Sequence, residues 1–295
     1  MSGNRSFPWA ALAAWLAALI MALAAAAGAA GAEDAPTYMD MGKTTSLDEI
    51  MAILDANPQL TRVDMFERPM WAKGIALLSE RYPQIEFGWT IRFGDHIVRT
   101  DATAFSTLHH SGARTHGDGE LSLLKYCKKL KALDIGHNGG RDLSFVSGMT
   151  DLRVLIIACN RFTDLSPLAN LHKLEYLELF SNHVTDLSPL SGLTHLMDLN
   201  ICYNDITDLS PLYGMKNLKR LWLYNCNNYN QRDRVPAAEV EKLRAALPDT
   251  EVDASHMPTA GTWREHPHFA VIRAMFRSPD GYRPFEDSWP EEETR

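Results

Sequence analysis

Leucines fall at positions 130, 152, 174, 196 and 218, a spacing of 22 residues each time, and this period constrains the architecture before any local feature does. Around each of them one pattern recurs, from Leu130-x-x-Leu133-x-Ile135-x-x-Asn138 to Leu196-x-x-Leu199-x-Ile201-x-x-Asn204, and last as Leu218-x-x-Leu221-x-Leu223-x-x-Cys226. The second half of the unit is equally regular, with Thr-Asp-Leu-Ser-Pro-Leu at 163–168, 185–190 and 207–212 and a weaker copy at 141–146. Leu121, Leu124 and Cys127 occupy the same register one unit earlier, so the array begins before its first clean strand. A unit this short cannot bury its apolar side alone and must stack on its neighbours.

The Leu-x-Leu core predicts a short strand whose alternate side chains point inward, with successive strands stacked in parallel about 4.8 Å apart into one concave sheet. The Asn at the ninth position both donates and accepts, which suits it to hold backbone groups where the chain leaves the strand. The Thr-Asp before Leu-Ser-Pro-Leu is placed to cap a short helical turn on the convex side, with Pro near its start. The predicted fold is an α/β solenoid, a horseshoe with parallel strands on its concave face, helical turns on its convex face and divergent caps at both ends.

These units resemble the 22-residue, internalin-like class of leucine-rich repeats found in bacterial surface and secreted proteins. Arg99 to Leu108, Leu196 to Asn204 and Trp263 to Pro267 are also similar to segments of exported repeat proteins of gut clostridia. The resemblance implies fold and export, and it implies no substrate.

The flanks are read from residue pattern. Residues 1–32 carry one basic residue, Arg5, an apolar run from Trp9 through Ala27 and a small-residue end at Ala30-Gly31-Ala32, the layout of a cleaved secretory signal. The alternative is an uncleaved segment that tethers the chain to a membrane. Residues 33–119 are expected to form an amino-terminal cap with helices and a hairpin. Two weak registers, Leu60-x-x-Val63-x-Met65 and Tyr82-x-x-Ile85-x-Phe87, lie 22 apart within it. Apolar residues at 85, 87, 89, 91 and 93 alternate with polar ones and predict a strand, turned at Gly94-Asp95 into a second. This hairpin is expected to cover the first edge of the solenoid. The repeats run over 120–230, and an amphipathic helix from Pro236 to Leu247 with a strand at 250–253 makes a carboxy-terminal cap over 231–253. Over 254–295 a short helix from Pro267 to Phe276 precedes a mobile tail from Ser278, and Trp263, Phe269, Ile272 and Phe276 are expected to dock that helix on the scaffold.

The formal net charge of −8 leaves no basic field for nucleic acid or an anionic membrane surface. The repeat register separates Cys159 and Cys202 by about 10 Å, beyond disulfide reach, and turns Cys127 and Cys226 inward, so free thiols are expected. His109, His110 and His116 lack a carboxylate or thiolate at ligand spacing, as do His256, His266 and His268, and no metal or cofactor is expected. The sequence has no phosphate loop, nucleophile elbow or zinc-binding His-Glu-x-x-His, so it is read as non-catalytic.

Residues between the inward leucines stack into concave columns: 132, 154, 176, 198 and 220 in one, and 134, 156, 178, 200 and 222 in the next. They are small in the first two units and aromatic in the last three. Tyr176, Glu178, Phe180, Asn200, Tyr203, Trp222 and Tyr224 form the candidate ligand site. The partner expected there is a protein or peptide bound by a monomer, with a glycan or cell-wall carbohydrate as the alternative. The competing possibility is that the carboxy-terminal segment folds over these rings.

Overall fold

The computed structural model describes residues 35–42, 46–107, 115–224, 235–256, 262–278 and 281–284. The expected signal segment, His109, His110 and Cys226 lie outside them. The chain divides into two compact units, one of residues 1–65 with 77–87 and one of residues 66–76 with 88–295.

In the first unit, β1 (Tyr38–Asp40) pairs in parallel with the start of β2 (Arg62–Met70). Helix α1 (Leu47–Ala56) begins at a capping box, in which the Ser46 hydroxyl accepts from Glu49 N and Glu49 accepts from Ser46 N. Its Ile50 and Leu54 are buried, as are Leu60, Val63 and Met65 of the first weak register. The Tyr82 hydroxyl fixes the opposite side, donating to Asp55 (2.8 Å) with Met51 O a second acceptor within reach (3.1 Å). Thr61 N and Arg62 N both donate to Thr37 O, and Glu86 N donates to Thr61 O. The same step from unit to unit recurs in the clean repeats, where Arg153 N and Val154 N share Lys131 O. The weak registers therefore carry repeat-type backbone pairing.

In the second unit, β3 (Glu86–Phe93) turns at Gly94 into β4 (His96–Arg99), paired antiparallel from Thr90↔Arg99 to Phe93↔His96. Gly94 has φ +55, and a Cβ there would stand 2.8 Å from His116 Cε1, so the turn needs glycine twice over. The hairpin does not cover the first edge of the repeat sheet. That place is taken by β5 (Ala104–Ser106), which pairs in parallel with β6 (Ala132–Asp134). The physical reason is register: Lys131 N and Ala132 N reach Thr103 O, so residues 103–106 act as one more repeat strand.

The repeat sheet continues through β7 (Val154–Ile156), β8 (Tyr176–Glu178), β9 (Asp198–Asn200) and β10 (Arg220–Trp222) to β11 (Glu251–Asp253), seven strands in sequence order and all parallel. Leu133, Leu155, Leu177, Leu199 and Leu221 form its inward column, each fully buried. The Asn column behind them is saturated with hydrogen bonds. Asn160 Nδ2 donates to the carbonyls of Ile135, Ile157 and Ala158 at 3.0–3.1 Å while its Oδ1 accepts from Gly140 N, and Asn182 and Asn204 repeat the arrangement. Closing each strand this way forces the preceding residue left-handed: His137, Cys159, Ser181 and Tyr203 have φ between 52 and 57.

On the convex side each unit makes a 3-10 turn, as at Ser166–Leu168 and Ser188–Leu190, with Asp164 and Asp186 accepting from the backbone N of Ser166 and Ser188 at 2.8 Å. After α2 (Ala72–Arg81), a short α3 (Asp118–Leu121) leads into the first such turn, Ser122–Tyr126. At the far end α4 (Ala237–Ala246) buries Val240 and Leu243 and precedes β11. Cys127, Cys159 and Cys202 are free thiols, and burial pushes the Cys127 thiol up to about 12.

Candidate functional site

The concave face is covered. Two helices of the carboxy-terminal segment, α5 (Thr262–Glu265) and α6 (Pro267–Arg277), pack on it. Pro267 stands in the first turn of α6 and the His266 ring accepts from His268 N, so the sequence starts this helix sharply. His268, Ile272 and Met275 follow at i, i+4 and i+7, forming one buried face. Ile272 and Met275 join Trp263 in one apolar cluster with Ala132, Val154, Ile156, Ala158, Tyr176, Phe180 and Trp222 of the sheet.

Three charged groups of the sheet are buried beneath it and are met from this segment. Glu178, fully buried, accepts from Trp263 Nε1 (2.8 Å), from Arg264 Nη2 (3.4 Å) and from the hydroxyl of Tyr176. Asp198 receives Arg220 Nε on one oxygen (2.7 Å) and faces His268 Nδ1 across 2.5 Å on the other. Burial pushes the Asp198 carboxyl up, but His268 and Arg220 outweigh it and hold the group below the ordinary carboxylate range. Arg220 lies 4.4 Å over the Trp263 ring and donates to Trp263 O at 3.4 Å. Asp134 takes Ser106 Oγ and Gly136 N, yet burial still pushes its carboxyl up to about 7.

The seven residues expected to form an exposed site are indeed gathered on β8 to β10 and the turns after them, but the expectation of an open cluster is corrected. Tyr176, Glu178, Phe180, Asn200 and Trp222 are buried, Tyr176 and Trp222 each meeting Trp263 as a tilted ring pair at 5.6 Å between ring centres. Tyr203 and Tyr224, in edge-to-face contact at 5.7 Å, stay half-buried at the rim. Of the expected docking residues, Trp263 and Ile272 are fully buried, while Phe269 and Phe276 are half-buried. The tail was expected to be mobile from Ser278, yet Tyr282 N donates to Thr103 Oγ1 (3.2 Å) and Lys131 Nζ lies 5.5 Å from the Tyr282 ring. Gly281, at φ +70, permits this approach, since a Cβ there would fall 2.3 Å from Thr103 Oγ1. Asp198 and Arg220 lie in the concave columns as the sequence predicts, whereas nothing in the repeat pattern points to His268 as their partner. The spacing of His268, Ile272 and Met275 was the available signal, a helical face with a single polar member.

Among the described residues no group of three or more His, Cys, Asp or Glu side chains could hold a metal, and no helix is long and apolar enough to cross a membrane.

Residues 150–195 match the family model described as Leucine Rich repeats (2 copies). No curated protein matches the sequence. Among solved structures the chain is similar to internalin C2 of Listeria monocytogenes, with 29% identity, 46% of this chain and 56% of that one covered, and a TM-score of 0.40. A second internalin of that organism shows 25% identity, coverage of 69% and 52%, and a TM-score of 0.46. A leucine-rich repeat protein of Leptospira interrogans shows 22% identity, coverage of 73% and 59%, and a TM-score of 0.45. The chain thus spans less than two thirds of each of these chains. The fold is that of a leucine-rich repeat protein, parallel strands in one sheet with short helical turns behind them.

Proposed function

We propose that this chain is a non-catalytic, exported binding protein that recognises a protein or peptide partner through the concave face of its repeats, with Tyr176, Glu178, Phe180, Asn200, Tyr203, Trp222 and Tyr224 in the contact surface. The observation that carries this reading is that the face grips a polypeptide segment by directed polar contacts. Glu178 and Asp198 hold Trp263, Arg264 and His268, so the surface discriminates side chains as well as burying apolar area. The groups it presents, aromatic rings with embedded charges, are those of a peptide-recognition surface, and no cofactor or metal enters the reading.

The test opens the face after folding. A protease site introduced within residues 257–261 is cut in the folded protein, the released segment is removed, and the product is applied to arrays of helical peptides and of oligosaccharides. Saturable peptide binding, lost when Glu178→Gln and Asp198→Asn are combined, is the expected result. Saturable binding to sugars alone moves the assignment to the glycan alternative, and binding to neither contradicts the proposal.

A further inference from the structure

The covering segment reports what chemistry the concave face selects. Its charged end lies over β8 to β10, where Glu178 meets an indole and a guanidinium from adjacent residues, Trp263 and Arg264, and Asp198 meets His268 five positions after the indole. Its apolar residues Ile272 and Met275 share one cluster with Ala132, Val154 and Ile156 of β6 and β7 and with Tyr176, Phe180 and Trp222. Tyr282 reaches Thr103, next to β5, so the segment runs back across the sheet from its late strands to its first. The contacts of Trp263, Arg264 and His268 with the two carboxylates, and the burial of Ile272 and Met275, are made by side chains that another segment of the same pattern could supply.

The fit also leaves a buried donor of the sheet unmet. Arg220 is buried, and its Nη2 has no hydrogen-bond partner among the described residues, the segment offering the guanidinium only a ring face and a carbonyl at 3.4 Å. A buried donor left without an acceptor is destabilising, because it has given up its water and gained no partner. A helix bringing a carboxylate or amide oxygen to Arg220 meets that donor and gains an advantage over the covering segment.

We infer that the partner of the concave face is an amphipathic helical segment of a protein, in which a short helix carrying an aromatic residue followed by a basic one leads into a second helix with an apolar stripe and an acceptor for Arg220, and that residues 262–278 occupy the face until such a segment displaces them. This rests on the peptide-binding reading above. A free ligand competing with a built-in one sees its apparent affinity reduced by the fraction of molecules already open, so the intact chain is latent by that factor.

The experiment compares the full chain with a full-length variant carrying Ile272→Asp and Met275→Asp, which removes the apolar half of the docking and leaves every residue of the sheet in place. The probe is a fluorescently labelled synthetic peptide of residues 262–284, read by anisotropy. The variant is expected to bind it at least about tenfold more tightly than the unmodified chain. A peptide with Trp263→Ala and Arg264→Ala should bind the variant about tenfold less well, and one with an added Glu able to reach Arg220 should bind better than the native peptide. Equal binding to the unmodified chain and the variant overturns the occupancy, while leaving peptide recognition intact. If hydrogen exchange shows the segment released and circular dichroism shows the fold retained, yet no peptide binds, peptide recognition itself fails. Should the double variant not fold, Arg264→Glu, which sets a like charge against Glu178 from a partly exposed position, makes the same comparison with the same expected direction.

Discussion

Tyr176 and Leu177 are neighbours in one strand and both are fully buried, but by different means. Leu177 is covered by the leucines one unit before and one unit after it, and its burial follows from the period alone. Tyr176 is covered by Trp263, part of a segment whose bond to Glu178 spans 85 residues of sequence. The inward side of the sheet is thus built by repetition and is nearly uniform, whereas the concave side is built by one long-range match between unlike side chains. The two sides should differ in stability: the inward columns open only with the fold as a whole, and the concave cover can open by itself.

That difference can be broken from either side. Leu177→Ala removes a side chain packed on both neighbours and is expected to cost about 3–5 kcal/mol of global stability, seen as a lowered denaturation midpoint and exchange protection lost throughout the repeats. His268→Ala strips Asp198 of one of its two hydrogen-bonding side-chain partners. It is expected to cost about 2–3 kcal/mol, confined to residues 262–282 in exchange measurements, with the inward columns unaffected. Because the folded Asp198 carboxyl is held below its ordinary value, its contribution is present at neutral pH and disappears as pH falls through that lowered value. Asp198→Asn should therefore remove one acid-side leg of the stability profile.

Asp134 has the opposite sign. Its folded value of about 7 stands above the unfolded one near 3.9, so the folded state binds the proton more tightly, and the stability this provides declines as pH rises towards 7 and is lost above it. Asp134→Asn retains an acceptor for Ser106 and Gly136 and is expected to raise stability at pH 8 by up to about 3 kcal/mol, with little change at pH 4, read by thermal denaturation at both values. The smallest expected effect is at the strand exits. Ser181→Gly relieves a left-handed residue and should stabilise the repeats by about 1 kcal/mol or less, a gain that an exposed residue of ordinary φ would not give.

The same contrast explains what the sequence made legible. The leucine and asparagine columns could be read residue by residue, since each position is dictated by its equivalents 22 residues away. The concave columns could be read as well, down to the aromatic residues of the last three strands. Whether they met solvent could not, because nothing periodic links Glu178 to Trp263 or Asp198 to His268. The edge strand escaped for a related reason: Ala104 to Ser106 has none of the leucine pattern and is recruited by the backbone of Thr103. The strong alternation of residues 85–93 pointed correctly to a hairpin, but alternation says which faces are buried and not which sheet a strand joins.

The most direct test of the central claim, that the chain's own carboxy-terminal segment fills its concave face, is amide hydrogen exchange of residues 269–277 in the intact protein and in the free peptide 262–284. An isolated helix this short is marginal in water, so protection there depends on docking. Exchange is expected to be at least about 100-fold slower in the protein than in the peptide. Equal rates in the two would contradict it.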